Sequence, residues 1–303
     1  MFIIYVKSPP SMHIYKHILI YELASGFLFD MVYALWQPVL LWPMRAAIPM
    51  GLLGNAMPYS MQIMFGSLLV SAALVTVGQT VQIAYRVAET YPKDNFVRNV
   101  LCTNVKTVYA FMVILSVPVA GLILVPIVTN INDPNESRRL FGSDFPAVQQ
   151  LMEKYPSMGG FHPDLSNVAF DILLDGALVL CAGTPVLTVL NVLQFLQRLK
   201  VLKETETKEI YDLNIMLLKA LLAQSISLLI LIMLPLGIFC LTLKTEVIWG
   251  SYPASISLIM LAAHGTITSW CILWYITPYR DFILNLFKFS KKPTVKIRIF
   301  SAV

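Results

Sequence analysis

Residues 213–241 read LNIMLLKALLAQSISLLILIMLPLGIFCL, a run of 29 residues in which Lys219, close to one end, is the only charged side chain. A hydrocarbon core of about 30 Å takes about 20 helical residues to cross, so the run is long enough to span a bilayer. An unpaired backbone amide or carbonyl costs several kcal/mol in that medium, which leaves only a helix or a strand of a closed barrel. Barrel strands are about half this length and alternate apolar with polar residues. This run does neither and reads as a transmembrane helix.

Five further runs of the same kind lie outward from it, at Lys16 to Leu41, Ser60 to Tyr85, Val108 to Val128, Val168 to Leu196 and Tyr252 to Ile276. Short connectors such as Trp42-Pro43 and Tyr91-Pro92-Lys93-Asp94 hold the residues that end helices. The 303 residues are 57% hydrophobic and 13% charged, with a mean hydropathy of +0.71, unlike any ordinary water-soluble domain. The expected fold class is all-α, a polytopic membrane helix bundle forming one transmembrane domain over residues 1–303. Cys102 falls in a connector and Cys181, Cys240 and Cys271 in or at the ends of spans, which is no disulfide framework.

Charge orients the bundle. The segments before the first span, between the second and third, between the fourth and fifth, and after the last hold 17 of the 22 basic residues, counting Lys219. By the positive-inside rule these segments are cytosolic, and so are both termini. The opposite side keeps Arg45, Arg138, Arg139, Lys154 and Lys244, three of them in the long loop 129–167, where the bias weakens. The sequon Asn135-Glu136-Ser137 lies in that loop, making Asn135 the candidate glycosylation site on the outer side. Clustering in short connectors also assigns the basic residues to membrane orientation rather than to nucleic acid.

The chain opens with Met1-Phe2-Ile3-Ile4-Tyr5-Val6, too short to cross a bilayer and too short for the apolar region of a signal peptide. It reads as the cytosolic stub of an earlier helix, followed by an inner loop from Lys7 to Tyr15.

Several short motifs resemble the nematode serpentine receptors of class I. They are Ser8-Pro9-Pro10-Ser11-Met12, Tyr15-Lys16, Leu28-Phe29-Asp30, Gln37-Pro38-Val39-Leu40 with Pro43, Val105-Lys106-Thr107-Val108-Tyr109, Tyr155-Pro156, Lys219-Ala220-Leu221 with Gln224, His264-Gly265 and Pro278-Tyr279-Arg280. The last two groups are shared with the related class H, the runner-up. The resemblance implies a rhodopsin-like seven-helix architecture, here with six complete spans and a stub of the first. It implies a chemosensory G-protein-coupled receptor of the plasma membrane, on a sensory cilium, binding an odorant-like small molecule and signalling to a heterotrimeric G protein, with no cofactor and no catalysis. A small-solute transporter and a non-signalling truncated receptor are the alternatives. The bridge usual in rhodopsin-like receptors is not expected, because no cysteine stands at the outer end of the second visible span or in the long loop.

Asp30 lies about 14 residues, or roughly 21 Å, from the cytosolic face, and a carboxylate at such depth is functional by default. His264 sits at nearly the same depth in the last span. Their hydrogen bond would be either a switch between resting and active states or a static clamp between helices. Arg86, at the inner end of its span, occupies the place of a G-protein-coupling arginine or of a snorkelling interfacial one; Pro278, Tyr279 and Arg280 complete the coupling candidates. Pro118, Pro126, Pro185 and Pro235 interrupt helix ladders, and Pro235 with Gly237 is a candidate hinge. Residues 282, 283, 286 and 287 have helical spacing and, with Lys288, Lys291 and Lys292 beyond, suit an interfacial helix on anionic lipid within a tail spanning 278–303. Asp171 and Asp175, one turn apart, could meet a ligand amine or merely suit a helix amino terminus. By depth alone, Trp36, Gln37, Gln62, Asp171 and Trp270 are the expected ligand-pocket residues.

Four scattered histidines supply no evident metal site, and the pair His13 and His17 lacks a third ligand. There is no phosphate-cradling loop, and an enzyme is not expected. Neither the repeated halves nor the matched broken helices of a transporter are visible.

Overall fold

A computed structural model describes residues 1–9, 12–42, 44–54, 59–205, 207–245 and 247–289. Among them, six helices are long and apolar enough to cross a membrane. They are α2 (Tyr15–Trp36), α3 (Ser60–Glu89), α5 (Val105–Thr129), α8 (Val168–Thr205), α9 (Lys208–Leu228) continued by α10 (Leu234–Thr245), and α11 (Ser251–Tyr275). Short helices α1 (Phe2–Lys7), α4 (Phe96–Cys102), α6 (Pro134–Asp144), α7 (Gln149–Lys154) and α12 (Thr277–Phe289) fill the connectors and the carboxyl-terminal side.

Local chemistry sets several boundaries. Asn95, Asn104 and Asp133 each accept a hydrogen bond at 2.9 Å from the backbone N–H two residues on, capping α4, α5 and α6, and Pro134 opens α6 where its missing N–H costs nothing. The span expected to run to Leu41 stops at Trp36. Gln37 takes the left-handed conformation (φ 45°), and Pro38 lacks the N–H a further turn needs. The N–H groups of Gly51 and Leu53 return to cap the carbonyls of Trp36 and Leu35 at 2.9 and 3.2 Å. Pro235 lacks the N–H that would meet the carbonyl of Leu231, and the helix accommodates this with a π turn over Leu229–Met233. The chain therefore stays helical past the candidate hinge.

The residues that overshoot the first span form a small cap. Strands β1 (Pro38–Leu41), β2 (Ala46–Pro49) and β3 (Gly159–Gly160) pair antiparallel in the order β1-β2-β3, with Val39 opposite Ile48 and Ala46 opposite Gly160. A Cβ on Gly160 would collide with the carbonyl of Arg45 and with Ala46, so only glycine allows this approach. Gly160→Val should detach β3, and faster proteolysis between α6 and α8 in the purified variant would register it. Beneath the sheet, His162 bonds Asp144 at 3.0 Å and meets the Phe141 ring edge-on, tying α6 to the strand.

The spans close a ring in which α2 packs on α3, α3 on α5 and α8, α8 on α10, α9 and α10 on α11, and α11 back on α2. Helix α3 is the most buried of the six, while α5 and α8 turn residues such as Val113, Val117, Leu122, Val179 and Val186 outward, as lipid-facing helices do. Aromatic packing of Phe65, Phe161 and Phe170 fills the capped end. At the opposite, basic end, Ile4 of α1 joins Tyr15, Ile272, Ile276 and Tyr279 in one apolar cluster. The amino-terminal helix and α12 thus meet on the same end, where Ser8 and Tyr279 share a hydrogen bond of 2.6 Å and Lys7 lies 4.9 Å over the Phe282 ring. Burial holds the Tyr279 phenol above its ordinary pKa, with the Ser8 bond opposing. All four cysteines are free.

Candidate functional site

The apolar spans carry a buried polar line. On α3, Gln79, Gln82 and Arg86 recur at helical spacing; on α9, Gln224 and Ser225 lie about three turns beyond Asn214, and on α2, Tyr15 and Glu22 lie two turns apart. All eight are buried. Gln224 donates to a carboxylate oxygen of Glu22 at 3.1 Å; Gln82 donates to Gln224 at 3.1 Å and to the Tyr15 hydroxyl at 2.7 Å; Gln79 donates to Ser225 at 3.1 Å. The Arg86 guanidinium lies 4.8 Å over the Tyr15 ring, donates to Asn214 at 3.3 Å and pairs with Glu89. Tyr15 in turn stacks on Tyr85. Three helices are joined from a buried carboxylate to an arginine at the basic end.

Beside the carboxylate end of this line, α2 and α11 part to form a cleft of about 300 Å³, lined by Glu22, Gly26, Asp30, His264, Thr268 and Trp270 among others. Asp30 and His264 both reach it, yet the hydrogen bond expected between them is not made. His264 Nε2 is 3.1 Å from the Thr268 hydroxyl, which is itself 3.5 Å from Ser227, while Asp30 lies against Gly265, where any Cβ would strike its carboxylate. Asp30 Oδ1 and His264 Nδ1 are both buried without a partner. Gly265→Ala should therefore displace Asp30, and a lower unfolding midpoint than that of Gly183→Ala, whose Cβ would meet nothing, checks it.

The depth-selected ligand residues do not converge. Trp36 and Gln62 are buried under the cap, Gln37 is exposed, and Trp270 is 62% exposed on the α2–α11 cleft. Asp171 faces Arg45 at 3.6 Å and Asp175 pairs with Lys244, so both have cations of their own. Asn135 is exposed in the first turn of α6, with Ser137 buried. Of the coupling candidates, Arg86 joins the polar line, Pro278 is the second residue of α12, Tyr279 is fully buried in the joint with α1, and Arg280 lies 3.6 Å from Asp281. His17 is 3.2 Å from the Tyr109 hydroxyl and edge-on to His13, and no group of metal ligands occurs among the described residues. The helix expected after the last span is α12, with Phe282 and Ile283 half-buried; Lys291 and Lys292 lie outside the described residues.

Glu22, Gln79, Gln82 and Asn214 carry the line without having been singled out from sequence. Their signal was present as polar residues spaced three, four or seven apart inside runs that are otherwise apolar.

Six membrane-length helices in a closed ring, with a helix along the end after the last span, define a multi-pass α-helical membrane protein. A family model described as serpentine type 7TM GPCR chemoreceptor Srh matches residues 1–289, and the chain belongs to that family. Class H therefore replaces class I, whose resemblance rested partly on motifs the two classes share. No curated protein and no solved structure gives a significant match.

Proposed function

We propose that this chemoreceptor-family protein binds a small molecule and signals to a heterotrimeric G protein from its basic end, which faces the cytosol. The single observation that carries the reading is the buried polar line, because it joins the α2–α11 cleft to Arg86 through groups that have no other evident purpose. Polar side chains inside membrane helices are costly and cluster on signal or transport pathways. In this reading Arg86 is held at rest by Tyr15, Glu89 and Asn214, and ligand-dependent movement of α9 against α3 frees it. The π turn at Leu229–Met233 is the point about which α9 shifts.

The orientation is supported by the basic residues of alternate connectors and by α1 and α12 meeting on one end. The plasma membrane of a sensory cilium is the site of action. Expressed in cells, the protein should show an endoglycosidase-sensitive mobility shift that Asn135→Gln removes; phosphorylation or tag exposure placing 129–167 in the cytosol would reverse the orientation. Function is tested by nucleotide exchange on a panel of Gα subunits reconstituted with the receptor. Exchange on at least one subunit, above that in empty membranes, is expected; none on any subunit, basal or with a panel of odorant-like molecules, would remove the proposal.

A further inference from the structure

We propose that a groove between the basic ends of α8 and α9 binds an anionic membrane phospholipid whose head group carries phosphomonoesters. The groove measures about 580 Å³, the size of a small-ligand site. Lys200 and Lys203 of α8 and Tyr211 of α9 line it, and no carboxylate does. Among the described residues neither lysine is in an ion pair. Other cations have company: Arg86 has Glu89, Lys244 has Asp175, and Arg198 of α8 lies 4.5 Å over the Tyr91 ring. Glu204, Glu209 and Asp212 are close in the chain but exposed and outside the lining. The groove therefore offers an anion two ammonium groups with three N–H donors each, the Tyr211 phenol and the Gln197 amide.

Position along the helix supplies the other half of the ligand. Leu193 and Leu196 line the same groove, are 51% and 41% exposed, and close the apolar run of that span. Lys200 and Lys203 follow Leu193 by seven and ten residues, or roughly 10 and 15 Å of helix axis. One continuous groove thus runs from the hydrocarbon into the head-group zone. Beneath it, Leu199 and Ile215 pack with Phe195, Val87 and Leu218, so the groove faces the lipid and does not open into the bundle.

A soluble phosphate would leave the leucines uncovered, and a zwitterionic lipid would leave two ammonium groups without net charge to meet. A phosphoinositide satisfies both ends, and basic pockets between membrane helices on the cytoplasmic side suit such head groups. That the groove meets the inner leaflet rests on the orientation proposed above, whereas binding in detergent does not.

The test uses the purified full-length protein in uncharged detergent, with the unfolding midpoint followed during titration. The probes are a dioctanoyl phosphatidylinositol bisphosphate, dioctanoyl phosphatidylserine and free inositol trisphosphate. Saturable stabilisation by the bisphosphate lipid is expected, at concentrations about tenfold or more below those needed for either other probe. Replacing both groove lysines, Lys200→Gln with Lys203→Gln, should weaken that binding about tenfold or more. The control removes the same charge from another connector of the basic end, Lys93→Gln with Lys106→Gln, and should change binding less than twofold. The proposal is overturned if nothing binds saturably, as expected of a face kept for the G protein. It is equally overturned if phosphatidylserine or the free head group binds as tightly as the bisphosphate lipid, or if the control pair loses as much as the groove pair. Binding is read without G protein, so its loss leaves the coupling proposal standing, and failed exchange beside intact binding leaves this one standing.

Discussion

Gln82→Leu should lower the stability of the detergent-solubilised protein by roughly 2–6 kcal/mol, since a buried polar group left without its partner costs about 1–3 kcal/mol and two are orphaned here. Gln82 is fully buried and one amide nitrogen serves both the Tyr15 hydroxyl and the Gln224 carbonyl oxygen. Leucine fills nearly the same volume, so the loss reports hydrogen bonding rather than a cavity. Gln79→Leu supplies the scale, because Gln79 donates only to Ser225, and about 1 kcal/mol is expected there. Unfolding midpoints of the two variants beside wild type give the comparison. If Gln82→Leu cost no more than Gln79→Leu, the line would not be a connected structure.

Arg86→Ala should reach the cell surface at near wild-type level and lose receptor-dependent nucleotide exchange by roughly tenfold or more, the scale of removing one interaction specific to the active state. The stability cost is about 1–3 kcal/mol, because Asn214 Oδ1 loses its donor, while Glu89 is part-exposed and can take water. Arg86→Lys separates coupling from anchoring. A lysine keeps the charge but cannot stack its flat face on Tyr15 while donating sideways to Asn214, so exchange should be only partly restored. A merely snorkelling arginine would tolerate lysine fully, and its removal would leave exchange untouched.

The spans were legible because apolar length is a property of the chain alone; the start of α5 lies three residues before the expected Val108, where Asn104 caps it. The overshoot to Leu41 arose because Pro38–Leu41 is as apolar as the helix before it. What makes it a strand is pairing with Ala46–Pro49 and, through that, with Gly159–Gly160 more than a hundred residues away. Counting residues put Asp30 and His264 at a common depth, and both line one cleft. Depth carries no information on direction around the helix axis, which is why their direct bond was expected where Gly265 and Thr268 are the neighbours. The same limit left Trp36 and Gln62 under the cap and Trp270 on the α2–α11 cleft, although they were chosen as one pocket. Glu22 escaped notice although it is the more deeply buried carboxylate; its partner Gln224, and Gln82 bonded to Gln224 in turn, lie on other helices, and only the fold brings them together. Short motifs such as His264-Gly265 and Pro278-Tyr279-Arg280 placed the chain among serpentine receptors without separating the two classes, whereas the match over residues 1–289 separates them.

The most direct measurement is basal nucleotide exchange, without added ligand, on the responsive Gα subunit reconstituted with wild-type receptor or with Asn214→Ala. Asn214 is the only residue of α9 bonded to Arg86 among the described residues, and its removal uncouples the guanidinium from α9 while Tyr15 and Glu89 stay in place. If the polar line holds Arg86 at rest, exchange rises severalfold above wild type. An Asn214→Ala receptor that is equally abundant and no more active than wild type would contradict it.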